Sequence, residues 1–388
     1  MKKFWLSVTG IVFGFGLTFL VVNNFSRNTL AEKILSPLGI RNNVVLGFLP
    51  YWLVGRADKN YWPYISTLSY FSLTIGPDGK IARLAKPGEE DPGWYALKSK
   101  AVDNFLNQAK NRQLPLSLTV FSGDQDTIDQ LLKNPLLHGQ ALIDDVAPLM
   151  KDKKFTDLNL DIESVIPASD SARENFSLFV KTVKKGLLEK GLGTLTVDVA
   201  PDALIKKELI DVKKISNDVD YLVLMTYDFH FLGSYVTGPV GQNRGGGVEA
   251  EYDSETAVKE VLRSVPSEKI ILGVPLYGYE WETLGDSPRS AVIPESGLIA
   301  SARRVEGLIG SCSSCSAKFD NVGEEPYLIY KNEDTGTFTQ IFYPDAQSVE
   351  AKIKLANQYR LGGVALWALG YEGAKTLDPL KAYNFAAP

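Results

Sequence analysis

Eight short runs rich in apolar and β-branched residues recur along the chain, at 44–49, 68–75, 116–121, 155–162, 195–199, 221–226, 270–275 and 363–369, with helical patterns between them. Strand alternating with helix predicts a parallel sheet covered on both faces. Eight strands predict closure into a (β/α)8 TIM barrel. An open doubly wound sheet would carry a Gly-rich phosphate loop after its first strand, and Gly47-Phe48-Leu49-Pro50 is no such loop. One helical pattern is explicit: Ala172, Phe176, Phe179, Val180, Val183, Leu187 and Leu188 fall on one stripe, after a turn at 167–170 and with Gly191 just past the end.

Between the seventh and eighth runs about eighty residues intervene, far more than a connecting helix needs. The pattern there predicts a small α+β insertion at about 280–345, including a hairpin of strands at 326–330 and 338–343 around a turn at 332–336. A helix at 348–359, with Val349, Ile353 and Ala356 on one face, returns the chain to the barrel. At the start of the chain Lys2 and Lys3 precede an apolar run over 4–22, the order of an export segment oriented positive side inward. The run exceeds the ~7 to 15 residues of a signal's apolar core and approaches the ~20 that span a bilayer, so an uncleaved anchor is preferred to a cleaved signal. Thr29-Leu30-Ala31 is the best cleavage match. The expected organisation is a signal or membrane anchor with a short linker over 1–31, and a barrel over 40–388 that works outside the cytoplasm.

The 388 residues, 45% hydrophobic and 22% charged, suffice for a large core and carry no bias toward disorder. A formal net charge of -5, with Lys and Arg spread along the chain, offers no basic stripe for a phosphate backbone, so nucleic acid is not an expected partner. Cys312 and Cys315 form a C-x-x-C flanked by Gly and Ser, which in an exported protein is read first as a short-loop disulfide. Zinc would need further ligands, for which the chain offers only His138 and His230, and a redox motif would need flanking strand and helix in the thioredoxin manner.

The fourth run carries the chemistry. Over 155–163 polar and apolar residues alternate at period two, so Asp157, Asn159, Asp161 and Glu163 share one strand face. Neighbours at i and i+2 lie roughly 6 to 7 Å apart, which brings the Asp161 and Glu163 carboxyls within mutual influence. Two such carboxyls resist simultaneous ionisation, and one keeps a proton at a pH where an isolated carboxyl would have lost it, as a general acid requires. A solvated acidic face is the reading for an isolated strand; the strand, turn and helix that follow argue for a barrel strand instead.

Active sites of such barrels lie at the C-terminal ends of the strands. Tyr51 and Trp52 follow the first run, Asp161 and Glu163 close the fourth, Tyr227 and Asp228 the sixth, Tyr277 and Tyr279 the seventh and Trp367 the eighth. Aromatic faces stack on pyranose C–H surfaces while carboxylates bind hydroxyl and amide groups, and this set therefore points to sugar. Any one aromatic alone reads equally as core packing.

These residues resemble glycoside hydrolase family 18, the chitinase-like group, whose fourth-strand motif D-G-x-D-x-D-x-E stands here as Thr156-Asp157-Leu158-Asn159-Leu160-Asp161-Ile162-Glu163. The likeness extends over about 43–373 and includes Met225-Thr226-Tyr227-Asp228, Ala200-Pro201 after the fifth run, Trp367 and the insertion. Within the family it is nearest the bacterial cell-wall and spore-cortex N-acetylglucosaminidase branch, through Gly273-Val274-Pro275-Leu276-Tyr277-Gly278-Tyr279, Tyr343-Pro344-Asp345-Ala346-Gln347-Ser348 and Leu361-Gly362-Gly363-Val364.

The resemblance implies hydrolysis of β-linked N-acetylglucosamine polymers, chitin or peptidoglycan-type glycan, with no cofactor or metal. Glu163 would be general acid and then base, and the substrate's 2-acetamido group the nucleophile. Asp161 would orient that amide, Tyr227 would donate to its oxygen, and Trp367 would floor the subsite. Asn159, Tyr51, Trp52, Asp228 and Tyr277 are the further residues expected to bind substrate. Thr156, Asp157 and Asn159 depart from the motif, and Asn159 can hydrogen-bond Asp161 but cannot share its charge. The alternative is a non-catalytic, lectin-like relative at the cell surface, although such relatives usually lack the acid that this chain keeps.

Overall fold

The strands stand where the apolar runs predict them: Val44–Pro50, Thr67–Thr74, Leu116–Ser122, Asp157–Ile162, Thr194–Val199, Tyr221–Leu224, Ile270–Pro275 and Gly363–Trp367. Each pairs in parallel with the next, and the first pairs with the eighth, Val44 opposite Gly363, to close a barrel. The computed structural model describes residues 43–384 apart from 165, 248–250, 313, 314 and 316. The segment expected at 1–31 to be a signal or anchor lies outside the described residues, and among those described no helix is long and apolar enough to cross a membrane.

On the fourth strand the period-two pattern separates two environments. Leu158, Leu160 and Ile162 join the helix-facing core with Phe176, Phe179, Val180 and Val183, each fully buried aliphatic or aromatic side chain contributing about 1.5 to 3 kcal/mol. The helix that supplies this face, Asp170–Lys190, begins where the Ser169 side chain accepts from the Ala172 N–H and ends at Gly191, whose φ of 61° is left-handed. Leu188 does not belong to the stripe. It is 64% exposed, because it lies one residue, and so about 100° of helix rotation, beyond Leu187.

Inside the barrel Leu46, Phe48, Phe71, Val223, Ile271 and Ala365 form the central packing, with Phe121 and Trp367 against them. At the N-terminal end of the fourth strand Asp157 accepts from Ser117 at 2.7 Å, Thr194 at 2.6 Å and Thr196 at 3.0 Å. It thereby joins the third, fourth and fifth strands. Burial raises its carboxyl pKa, and the three hydroxyls draw it back. Asp157 shares a strand face with Asp161 but not its surroundings.

The insertion is a five-stranded antiparallel sheet in the order Leu298–Ser301, Tyr277–Thr283, Phe338–Phe342, Glu325–Lys331 and Lys318–Asp320. The helix Ala302–Ser311 packs on it through Ala302 and Val305, and a core of Ala300, Val305, Leu328, Ile341 and Tyr343 fills the contact. Its first strand starts right after the seventh barrel strand. Tyr277 and Tyr279 are therefore residues of the inserted sheet, not the end of the barrel strand: Pro275 is the last residue in register with Trp367, and Leu276 N–H donates to the Trp367 carbonyl as the chain leaves the barrel. The helix Ala346–Gln358 leads back to the eighth strand, and Cys312 and Cys315 are joined by a disulfide with Cα atoms 5.3 Å apart.

Candidate active site

The fourth strand delivers two carboxyls to the C-terminal mouth in different settings. Asp161 is 3% exposed, the last inward residue of the strand. Glu163 follows it in an exposed position, its backbone held by a hydrogen bond of 2.8 Å from Glu163 N–H to the Ser122 carbonyl. A side-chain hydrogen bond joins the two. Burial pushes Asp161 well above the usual carboxylate range, and the Glu163 and Asp198 charges push it further. Desolvation by the surrounding side chains also raises Glu163; its bond with Asp161 opposes that rise and the Asp228 charge adds to it. The pair thus holds a proton together at a pH where free carboxyls are ionised.

Tyr227 converges on the same point from the sixth strand. Burial raises its phenol pKa most, followed by the charges of Asp198, Asp161, Glu163 and Asp228, so the phenol stays neutral beside the carboxyls. Its place depends on Gly273 of the seventh strand. A Cβ there would lie 2.5 Å from the Leu224 carbonyl oxygen and 2.9 Å from Tyr227 Cε1. Thr226 Oγ1 donates to the Gly273 carbonyl at 2.8 Å, and the buried Lys352 ammonium donates to the Thr226 carbonyl at 2.7 Å, so the residue before Tyr227 is fixed on both sides.

Asp228, with a left-handed φ of 58°, turns its carboxylate toward the inserted sheet. Its Oδ1 accepts from Tyr277 at 2.5 Å and Tyr279 at 2.9 Å, and both tyrosines are buried. Tyr277, expected to bind substrate, thus has its hydroxyl committed to Asp228. Trp367 lies with its ring 4.5 Å from Phe71, 5.6 Å from Phe48 and 6.4 Å from Trp52. Trp52 is 47% exposed and sits edge-on to Tyr51 at 4.9 Å, so the first and eighth strands present one aromatic wall.

Asn159 is placed differently from expectation. It is fully buried one step below Asp161, and its Nδ2 donates to Asp198 Oδ1 at 2.8 Å, away from the open mouth where a substrate would lie. Asp198 and Phe71 are members of this constellation that motif reading passes over. Phe71 follows Tyr70 in the apolar-rich second run and carries no signal apart from core. Asp198 does carry one: Thr194, Thr196 and Asp198 alternate with Leu195, Val197 and Val199 at the same period that singles out the fourth strand. His138 and His230 each bond a backbone carbonyl, and no group of three or more His, Cys, Asp or Glu able to hold a metal occurs among the described residues.

The model of the family described as glycosyl hydrolases family 18 matches residues 72–372. The cortical fragment-lytic enzyme of Bacillus subtilis (strain 168) is 23% identical over 327 residues, covering 81% of this chain and 67% of its own. The spore cortex-lytic enzyme SleL of Bacillus cereus superposes with a TM-score of 0.70 at 20% identity, over 89% of this chain and 75% of that one. The Group IV chitinase of Ostrinia furnacalis, solved with allosamidin, gives 0.74 at 21% identity over 87% and 96%.

Proposed function

The chain belongs to glycosyl hydrolase family 18 and is a glycoside hydrolase, and from that premise we propose that it cleaves β-linked N-acetylglucosamine glycans, chitin or peptidoglycan-type, by a retaining, substrate-assisted reaction. Glu163 protonates the glycosidic oxygen as the bond to the anomeric carbon breaks. The 2-acetamido carbonyl oxygen attacks that carbon from the opposite face and forms a cyclic oxazolinium ion. Glu163, now ionised, takes a proton from water, which opens the ring at the anomeric carbon with overall retention. Asp161 accepts from the acetamido N–H and balances the developing positive charge. Tyr227 donates to the acetamido oxygen, Asp228 and Asn159 keep these groups in place, and Trp367 with Tyr51 and Trp52 provides the flat apolar wall for the sugar ring.

The observation that carries this reading is the Asp161–Glu163 pair: a buried carboxyl hydrogen-bonded to an accessible one, both held above the usual carboxylate range, with a neutral phenol beside them. A sugar-binding protein without turnover needs no such shared proton. The relatives, described as cortex-lytic enzymes and a chitinase, favour the same linkage. On the strength of Lys2, Lys3 and the apolar run at 4–22, the reaction is placed outside the cytoplasm, with the N-terminal segment as signal or anchor. Purified protein is to be incubated with N-acetylglucosamine oligomers and, separately, with purified peptidoglycan, and the products read by mass spectrometry. New N-acetylglucosamine reducing ends in the β configuration are expected; no product from either polymer, or initial products of inverted configuration, would overturn the reading.

A further inference from the structure

The fourth and fifth barrel strands meet in register, Leu160 opposite Val197, so the next inward residues, Asp161 and Asp198, are neighbours across the two strands. Asp198 is 4% exposed and takes the Asn159 amide as its hydrogen-bond donor. The amide donates through Nδ2, so this bond sets which way it faces: the NH2 toward Asp198 and the carbonyl oxygen away from it. Among the described residues that oxygen, although buried, has no hydrogen-bond partner, and neither has Asp161 Oδ1, two residues further along the same strand face.

We propose that Asp198 is a positioning residue for the hydrolytic carboxyls: through Asn159 it orients the acceptor beneath Asp161 and so fixes the inward strand face that presents Asp161 and Glu163. This rests on the roles assigned above to Asp161 and Glu163. The contrast with Asp157 separates this role from strand pinning. Asp157 sits among three hydroxyl donors, whereas Asp198 has an amide on one side and carboxyls on the other. The ionisable groups facing it are Asp157, Asp161 and Glu163 on the fourth strand and the Tyr227 phenol after the sixth, with Asp228 acting on Glu163 and Tyr227 from the far side of the mouth. Among the charges on Tyr227, that of Asp198 weighs most.

The test compares wild type, Asp198→Asn and the exchange variant Asn159→Asp/Asp198→Asn, which keeps one carboxyl and one amide in the pair. Rates on a chromogenic N-acetylglucosamine oligomer are measured across pH, beside thermal unfolding. Asp198→Asn is expected to lower kcat by about tenfold or more with KM within about threefold of wild type. It should also move the alkaline limb of kcat/KM to lower pH, because removing a like charge lets the remaining acid lose its proton sooner. The exchange variant should recover most of the lost kcat. A folded Asp198→Asn with wild-type kcat and an overlaid profile, or a folded exchange variant no better than Asp198→Asn, overturns the proposal. Should Asp198→Asn not fold, the exchange variant decides: kcat within about thirtyfold of wild type upholds the role, and a lower value or a failure to fold overturns it. Glu163→Gln, assayed in parallel, separates the two levels. Its full loss of turnover beside an unaffected Asp198→Asn removes Asp198 alone, and retained turnover in Glu163→Gln removes the reading on which the proposal stands.

Discussion

Tyr277 donates its hydroxyl to Asp228 Oδ1 at 2.5 Å, and this bond ties the inserted sheet to the residue that follows the Tyr227 phenol. Tyr279 adds a second donor to the same oxygen. Burial pushes the Asp228 carboxyl pKa up and the two hydroxyls pull it down. Tyr277→Phe/Tyr279→Phe removes the downward pull, so Asp228 takes up its proton at a higher pH. The acidic limb of the kcat/KM profile should move to higher pH, and kcat/KM at neutral pH should fall by about tenfold. An acidic limb that overlays wild type would show that the ionisation of Asp228 does not set that limb.

Glu163→Gln should reduce hydrolysis to below a few per cent of wild type while leaving affinity for N-acetylglucosamine oligomers within about threefold, since the amide keeps the shape and has no proton to transfer. Calorimetric titration alongside the rate assay checks both halves. Turnover near wild type would remove Glu163 from the acid role.

The substrate's own amide is testable without a mutant. Glycosides in which hydroxyl replaces the 2-acetamido group should be nearly inert, and a thiazoline analogue of the cyclic intermediate should inhibit competitively. Similar rates on the two glycoside series would point to a protein nucleophile.

Gly273→Ala probes how the phenol is placed. The new methyl would contact Tyr227 Cε1 at 2.9 Å and the Leu224 carbonyl at 2.5 Å, so the ring or the strand must give way. A loss of about a hundredfold in kcat/KM is expected for a displacement near 1 Å, with a stability cost of about 1 to 3 kcal/mol read from chemical unfolding. A fully active variant would mean that Tyr227 has room the packing does not suggest.

The barrel was legible because its strands are short and uniformly apolar on the helix side, and because the polar alternation of Asp157, Asn159 and Asp161 has no use on a strand covered by helices unless it faces inward. Two aspects were not legible. Periodicity assigns residues to a face but not to a depth, so Asp157, Asn159 and Asp161 read alike, although one joins three strands through hydroxyls, one contacts Asp198 and one reaches the mouth. The second is the start of the insertion: the seventh strand and the first inserted strand form one β-rich run, and only the loss of register with Trp367 after Pro275 marks where Tyr277 and Tyr279 leave the barrel.

Closure of the ring by Val44 and Gly363 joins opposite ends of the described chain, and Trp367 lies on the strand that completes it. The acidic pair comes from the middle of the chain, whereas the aromatic wall is divided between Tyr51 and Trp52 near its beginning and Trp367 near its end. During synthesis the carboxyls are therefore made long before the aromatic wall beside them is complete. Loop-closure entropy delays the pairing of such distant strands until the late stages of folding. Competence for hydrolysis should arise in one late step, as the first and last strands meet, and a chain released before its eighth strand would have the carboxyl pair without Trp367.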